Sequence, residues 1–126
     1  MKPKRIAIIE DEPSLGLVFS DVFSLEGSTI LLIQEGAEAV QKLKAFMPDI
    51  ITLDLHLPHV SGVEILRDIR ADVQLSDCRV IIVTADPGAA QSVADLADMV
   101  LIKPVSLTDL IQLIDRLNRL PAVPGE

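Results

Sequence analysis

Five short apolar runs recur along the chain, at residues 6–9, 30–33, 50–53, 80–83 and 99–102. They are rich in isoleucine and valine and continuous rather than alternating with polar residues, the pattern of strands covered on both faces. The segments between them carry apolar residues at helical spacing. Leu15, Val18, Phe19 and Val22 form one stripe, Ala39, Leu43 and Phe46 a second, and Val63, Leu66 and Ile69 a third. The longest stripe is Leu107, Leu110, Ile111, Ile114 and Leu117. Strand alternating with helix five times predicts a doubly wound α/β domain: a five-stranded parallel sheet with helices on both faces.

Boundary residues agree. Ser106 followed by Asp109 has the capping-box spacing ahead of the last stripe. Asp86-Pro87 offers a carboxylate N-cap and then proline at a first helical position, and Pro13 plays the same part after Glu12. The domain is expected over residues 1–120, with residues 121–126 as an irregular tail or the start of a linker.

Composition narrows the function classes. A length of 126 residues suits one domain, and 49% hydrophobic with 24% charged residues is globular. The net charge of −8, with no basic cluster beyond Lys2, Lys4 and Arg5, argues against nucleic acid binding by this chain alone. Its 2% aromatic content, all phenylalanine, supplies no platform for stacking bases. No apolar run has membrane-span length and the amino end lacks a signal peptide's apolar segment, so no membrane contact and a cytoplasmic location are expected. The single cysteine, Cys78, is expected to be inert.

The chemistry lies at the strand ends. The first strand runs into Glu10-Asp11-Glu12, the third into Asp54, the fourth into Thr84 and the fifth into Lys103-Pro104. In an open parallel sheet these positions share one rim, where ligands collect. Crowded carboxylates call for a divalent cation, and oxygen ligands without clustered histidine or cysteine favour Mg²⁺ or Mn²⁺ over zinc. A lysine beside a metal-bound carboxylate is equipment for stabilising a phosphoryl group in transfer. Glu12 reads more simply as a helix-dipole partner, and His59 as a loop residue.

These stretches together resemble the receiver domain of bacterial two-component response regulators over about residues 4–119. The matching segments are Ile8 to Glu12, Gly36 to Ala39, Asp49 to Leu66, Val83-Thr84-Ala85 and Lys103-Pro104. The resemblance implies a flavodoxin-like fold of strand order 2-1-3-4-5. It implies that Asp54 takes a phosphoryl group from a sensor histidine kinase or phosphotransfer protein. Glu10, Asp11, Asp54 and the backbone carbonyl of His56 would hold Mg²⁺, with Glu10 acting through water because the family often has aspartate there. Lys103 would pair with the phosphate through a cis Lys103-Pro104 peptide, and Thr84 would turn its hydroxyl onto a phosphate oxygen. His56 and Asp86 would flank the path of attacking water and tune dephosphorylation. Such a protein is an acceptor with weak autodephosphorylation at most rather than an enzyme. It signals by conformational change to a downstream effector, with a homodimer through the fourth helix, fifth strand and fifth helix as a further option.

Two departures bear on that signal. Where the family carries an aromatic residue three positions before the lysine, this chain has Val100. The span from Thr84 to Lys103 is about one turn shorter than the family's and ends in Leu96-Ala97 without glycine, so the fourth helix is expected to be short, irregular or displaced. An interaction module that signals without phosphorylation is therefore the alternative. A phosphatase using an aspartyl intermediate fits less well, because it wants a second acid where His56 stands.

Overall fold

The computed structural model describes residues 4–120, and the tail expected at 121–126 lies outside the described residues. Five strands alternate with helices. They are β1 (Arg5–Ile9), α1 (Pro13–Leu25), β2 (Thr29–Ile33), α2 (Ala39–Phe46), β3 (Ile50–Asp54) and α3 (Gly62–Ala71), then β4 (Arg79–Thr84), α4 (Pro87–Ser92), β5 (Met99–Ile102) and α5 (Leu107–Arg119). The sheet is parallel throughout in the order β2-β1-β3-β4-β5, as the resemblance implied.

Strand residues divide by parity between two cores. Ile6, Ile8, Ile50, Ile81 and Val83 pack with Phe19 and Phe23 of α1 and Leu110, Leu113 and Leu117 of α5. Ala7, Ile9, Ile51, Leu53, Val80 and Ile82 pack with α2, α3 and α4 through Leu43, Ile65, Leu66, Ile69 and Ala90. Burial on both faces explains the continuous apolar runs. β3 is central and all five of its residues are buried.

The outer helix stripes differ from expectation by a rotation. In α1 the buried residues are Gly16, Phe19 and Phe23, while Val18 is exposed. In α5 Leu113 is buried, whereas Leu107 and Ile111 are open. Both helices carry more apolar residues than their inward faces can use. The exposed Leu25, Leu107 and Ile111, with Val22, Leu110 and Ile114 beneath them, line a groove of about 220 Å³ between the two helices. In α3 the inward face also includes Ile65.

The fourth helix is short, as expected: six residues, followed by a 3₁₀ turn at Ala94–Leu96 in which Ala97 takes the extended backbone of a non-glycine stop. Its far end is held from below. The Arg70 guanidinium at the end of α3 donates to the carbonyls of Leu96 (2.7 Å), Ser76 (2.9 Å) and Cys78 (2.6 Å) and pairs with Asp98 (3.1 Å). Asp98 also accepts from the Val80 amide at 2.8 Å and meets Arg79 at 3.3 Å.

Candidate functional site

Parallel register brings the carboxyl ends of the strands to one rim. Ile9 lies beside Leu53, Asp54 beside Val83, and Thr84 beside Ile102. The residues that follow β1 and β5, Glu10-Asp11-Glu12 and Lys103, therefore open next to Asp54. The loop after β3 is folded tightly back: the Gly62 amide donates to the Leu55 carbonyl at 3.0 Å, and His56 bridges Ser61. A Cβ at Gly62 would collide with the Asp54 carbonyl oxygen and the Leu55 Cα, so only glycine permits this approach. Ser61 caps α3 by accepting from the Val63 amide at 3.2 Å. These two residues fix the angle at which Asp54 leaves its strand.

Asp54 is only 4% exposed. One carboxylate oxygen, Oδ1, accepts from the His56 amide at 3.0 Å, and the other, Oδ2, faces Lys103 Nζ at 3.1 Å. Lys103 Nζ also lies 3.2 Å from Glu10 Oε1 and 3.1 Å from Glu12 Oε2. One ammonium thus faces three carboxylates. Burial works against its charge, but the bonds to Asp54 and Glu12 and the field of Glu10 outweigh it, holding Lys103 well above the ordinary lysine range.

Glu10 is 2% exposed. Burial raises its carboxyl to about 7, with the bond from the Glu12 amide (3.1 Å) opposing and the nearby Asp54 charge adding to the rise. Glu10, Asp11 and Asp54 each offer an oxygen within 4.8 Å of the others, Asp11 being the most open. That donor set, oxygen-only and in excess of its cation, fits a hard divalent ion.

Thr84 is fully buried at the end of β4, and its Oγ1 accepts from the Asp86 amide at 3.1 Å. Asp86 caps α4 as expected, Oδ1 accepting from the Ala89 amide at 3.0 Å. Its other oxygen meets His56 Nε2 at 3.2 Å. The amide of Ala89 and the contact with His56 hold the Asp86 carboxyl below the usual range. The Lys103-Pro104 peptide is cis, as the resemblance implied. A cleft of about 550 Å³ opens beside Lys103, lined by Glu12, Ser14, Leu15, Val18, Ala85, Pro104 and Val105.

The structure thus gathers Asp54, Glu10, Asp11 and Lys103, with Thr84, Asp86 and His56 along the adjoining loops. Glu12 differs from the sequence reading. Its backbone begins α1, but its carboxylate turns to Lys103 rather than to the helix end. Of three consecutive acids, spacing alone does not reveal which turn toward the lysine. Gly62 falls within a segment that carries the resemblance, whereas Ser61 as the α3 cap is added by the structure; a serine directly before a glycine at a helix start is its signal in the sequence. Cys78 is buried, and burial pushes its thiol up to about 11, in keeping with an inert residue.

Known proteins resemble both the sequence and this arrangement. The family model for the response regulator receiver domain matches residues 6–115. The chain is 31% identical over 127 residues to the DNA-binding response regulator MtrA of Mycolicibacterium smegmatis, covering 98% of this chain and 54% of that protein. It spans about half the length of such curated relatives. Among solved structures, the Thermotoga maritima response regulator TrrA in complex with Mg²⁺–BeF superposes with a TM-score of 0.76 at 28% identity, covering 93% of this chain and 99% of that one. The receiver domain of a Pseudomonas aeruginosa sensor histidine kinase, with magnesium in its active-site cleft, gives 0.78 at 25% identity, covering 90% and 96%. With its parallel 2-1-3-4-5 sheet and an acid-rich rim, the chain belongs to the response regulator receiver domains of two-component systems.

Proposed function

We propose that Asp54 accepts a phosphoryl group from the phosphohistidine of a sensor kinase or phosphotransfer protein. The observation that carries this is the Asp54 carboxylate itself, nearly buried, with Oδ2 against a single lysine that three acids share. Oδ1 keeps the His56 amide, and Oδ2 forms the bond to phosphorus as the donor's phosphorus–nitrogen bond breaks and its imidazole departs. Lys103, kept protonated by its carboxylate partners, turns from Oδ2 to the transferred phosphoryl oxygens. Glu10, Asp11, Asp54 and the His56 carbonyl would hold Mg²⁺ or Mn²⁺, which supplies charge neutralisation during transfer. Thr84 gives its hydroxyl to the phosphoryl group and releases the Asp86 amide.

His56 and Asp86 stand where water would approach the acyl phosphate, so both tune its lifetime; a slow self-hydrolysis is the extent of enzymatic activity. The output passes to a protein effector or to a DNA-binding region of the kind named in relatives such as MtrA, in the cytoplasm. The dimer through α4, β5 and α5 belongs to the same reading. A phosphate-independent interaction module is favoured by Val100 and the six-residue α4.

Incubation with acetyl phosphate and Mg²⁺ followed by intact mass separates the two. The acceptor reading expects one phosphoryl increment in the wild type and none in Asp54→Asn. A wild type without adduct favours the module.

A further inference from the structure

We propose that Asp86 is the positioning residue through which the state of Asp54 reaches α4, with the His56 side chain as its tether. The inference rests on Asp54 being the phosphoryl acceptor.

Three bonds meet at Asp86, each to a different element. Its amide donates to Thr84 Oγ1 at 3.1 Å, at the end of β4. Its Oδ1 accepts from the Ala89 amide at 3.0 Å and so starts α4. Its Oδ2 meets His56 Nε2 at 3.2 Å, on the loop after β3. His56 in turn donates its own amide to Asp54 Oδ1 at 3.0 Å. Two routes therefore run from the acceptor strand and its neighbour into one residue, through its amide and its side chain, and that side chain caps the helix.

The rest of the segment explains why such a junction has leverage. α4 has six residues and buries only Ala90 among them, so little packing holds it in place. Its far end is fixed, because Arg70 Nε grips the Leu96 carbonyl at 2.7 Å. The piece free to reorganise is residues 85–92, anchored at its near end by Asp86 and bounded at its far end by Val93, which is buried in the core. Val100 on β5 offers no ring that could sense a movement of Thr84. His56 and Asp86 are 62% and 47% exposed at the side chain, and exposed pairs contribute little to global stability. The contact can thus be made and broken without threatening the fold, as a coupling element requires.

When Thr84 turns to the phosphoryl group, Asp86 loses its amide partner and keeps the tether and the cap. The tether then sets where the start of α4 goes. Without it, residues 85–92 would lose their bond to the loop that carries the acceptor's neighbour.

Two substitutions separate tether from cap. Asp86→Ser retains an N-cap oxygen but is too short to reach His56, whereas Asp86→Asn can cap with its oxygen and offer its amide to an unprotonated His56 nitrogen. Amide hydrogen exchange of residues 85–92 is followed with acetyl phosphate and Mg²⁺, and phosphorylated molecules are read separately by mass. The wild type and Asp86→Asn should change exchange in this segment by about fivefold or more on phosphorylation, and Asp86→Ser and His56→Leu by less than about twofold. A wild-type-sized response in Asp86→Ser and His56→Leu overturns the proposal and leaves Asp86 as a cap alone. An adduct-free wild type removes the acceptor reading, and with it this one.

Discussion

The two ends of the β-sheet carry opposite solutions to the problem of charge near a core. At the carboxyl rim, Glu10, Glu12 and Asp54 share the ammonium of Lys103, and Asp11 stands beside them. At the amino rim, Arg70 and Arg79 share Asp98, and the remaining Arg70 donors are taken by the carbonyls of Leu96, Ser76 and Cys78. In the lower cluster Arg70 finds its acceptors within the protein, in three backbone carbonyls and Asp98, and has little left to offer a ligand. The upper cluster sets several carboxylates against one ammonium, and burial, with the Asp54 charge added, raises the Glu10 carboxyl to about 7. The lower cluster's cationic surplus is met by backbone carbonyls, whereas the upper cluster gathers carboxylate oxygens close enough to hold a cation.

The largest effect should come at the lower rim. Arg70→Ala strips donors from three carbonyls and leaves Asp98 with less counter-charge, so urea unfolding should register a loss of about 3 kcal/mol, the same with and without Mg²⁺. A loss that Mg²⁺ repairs would mean the two rims are not independent.

The upper rim should respond to pH and cation instead. Glu10 binds its proton more tightly folded than unfolded, since its ordinary value is 4.5. The folded state therefore holds more protons between about pH 4.5 and 7, and stability falls as pH rises through that window. The fall should be on the order of 2 kcal/mol without divalent cation, flattened by saturating Mg²⁺ and absent in Glu10→Gln. Denaturant titrations at several pH values check this, and a pH-independent wild type would contradict the raised Glu10 carboxyl.

Ser106→Ala supplies the scale. Ser106 Oγ accepts from the Asp109 amide at 3.0 Å at the start of α5, in an exposed capping box whose two bonds both stay within residues 106–109. Its loss should cost about 1 kcal/mol with no sensitivity to Mg²⁺. An equal cost for Arg70→Ala would reduce the lower cluster to an ordinary surface network.

Much of this was legible in the chain. Each of the five apolar runs is a strand, because strands buried on both faces must be continuously apolar. Asp54, Glu10, Asp11, Thr84 and Lys103 could be placed on one rim because parallel strands point their carboxyl ends the same way. The shortened α4 was likewise readable, as a matter of chain length.

Tertiary structure decided matters of direction. Periodicity identified α1 and α5, but which apolar residues turn inward depends on the sheet's twist and on the neighbouring helix; hence Phe23 and Leu113 are buried and Leu107 is not. The three acids after β1 are equivalent in sequence, yet packing seals Glu10 inside and sends the Glu12 carboxylate to Lys103. The meeting of His56 with Asp86 and of Arg70 with Leu96 joins residues 30 and 26 positions apart. Local pattern fixes which residues can form an element, because backbone sterics and burial act over a few residues. Contacts between elements depend on how the finished layers pack, and that information is spread over the whole chain.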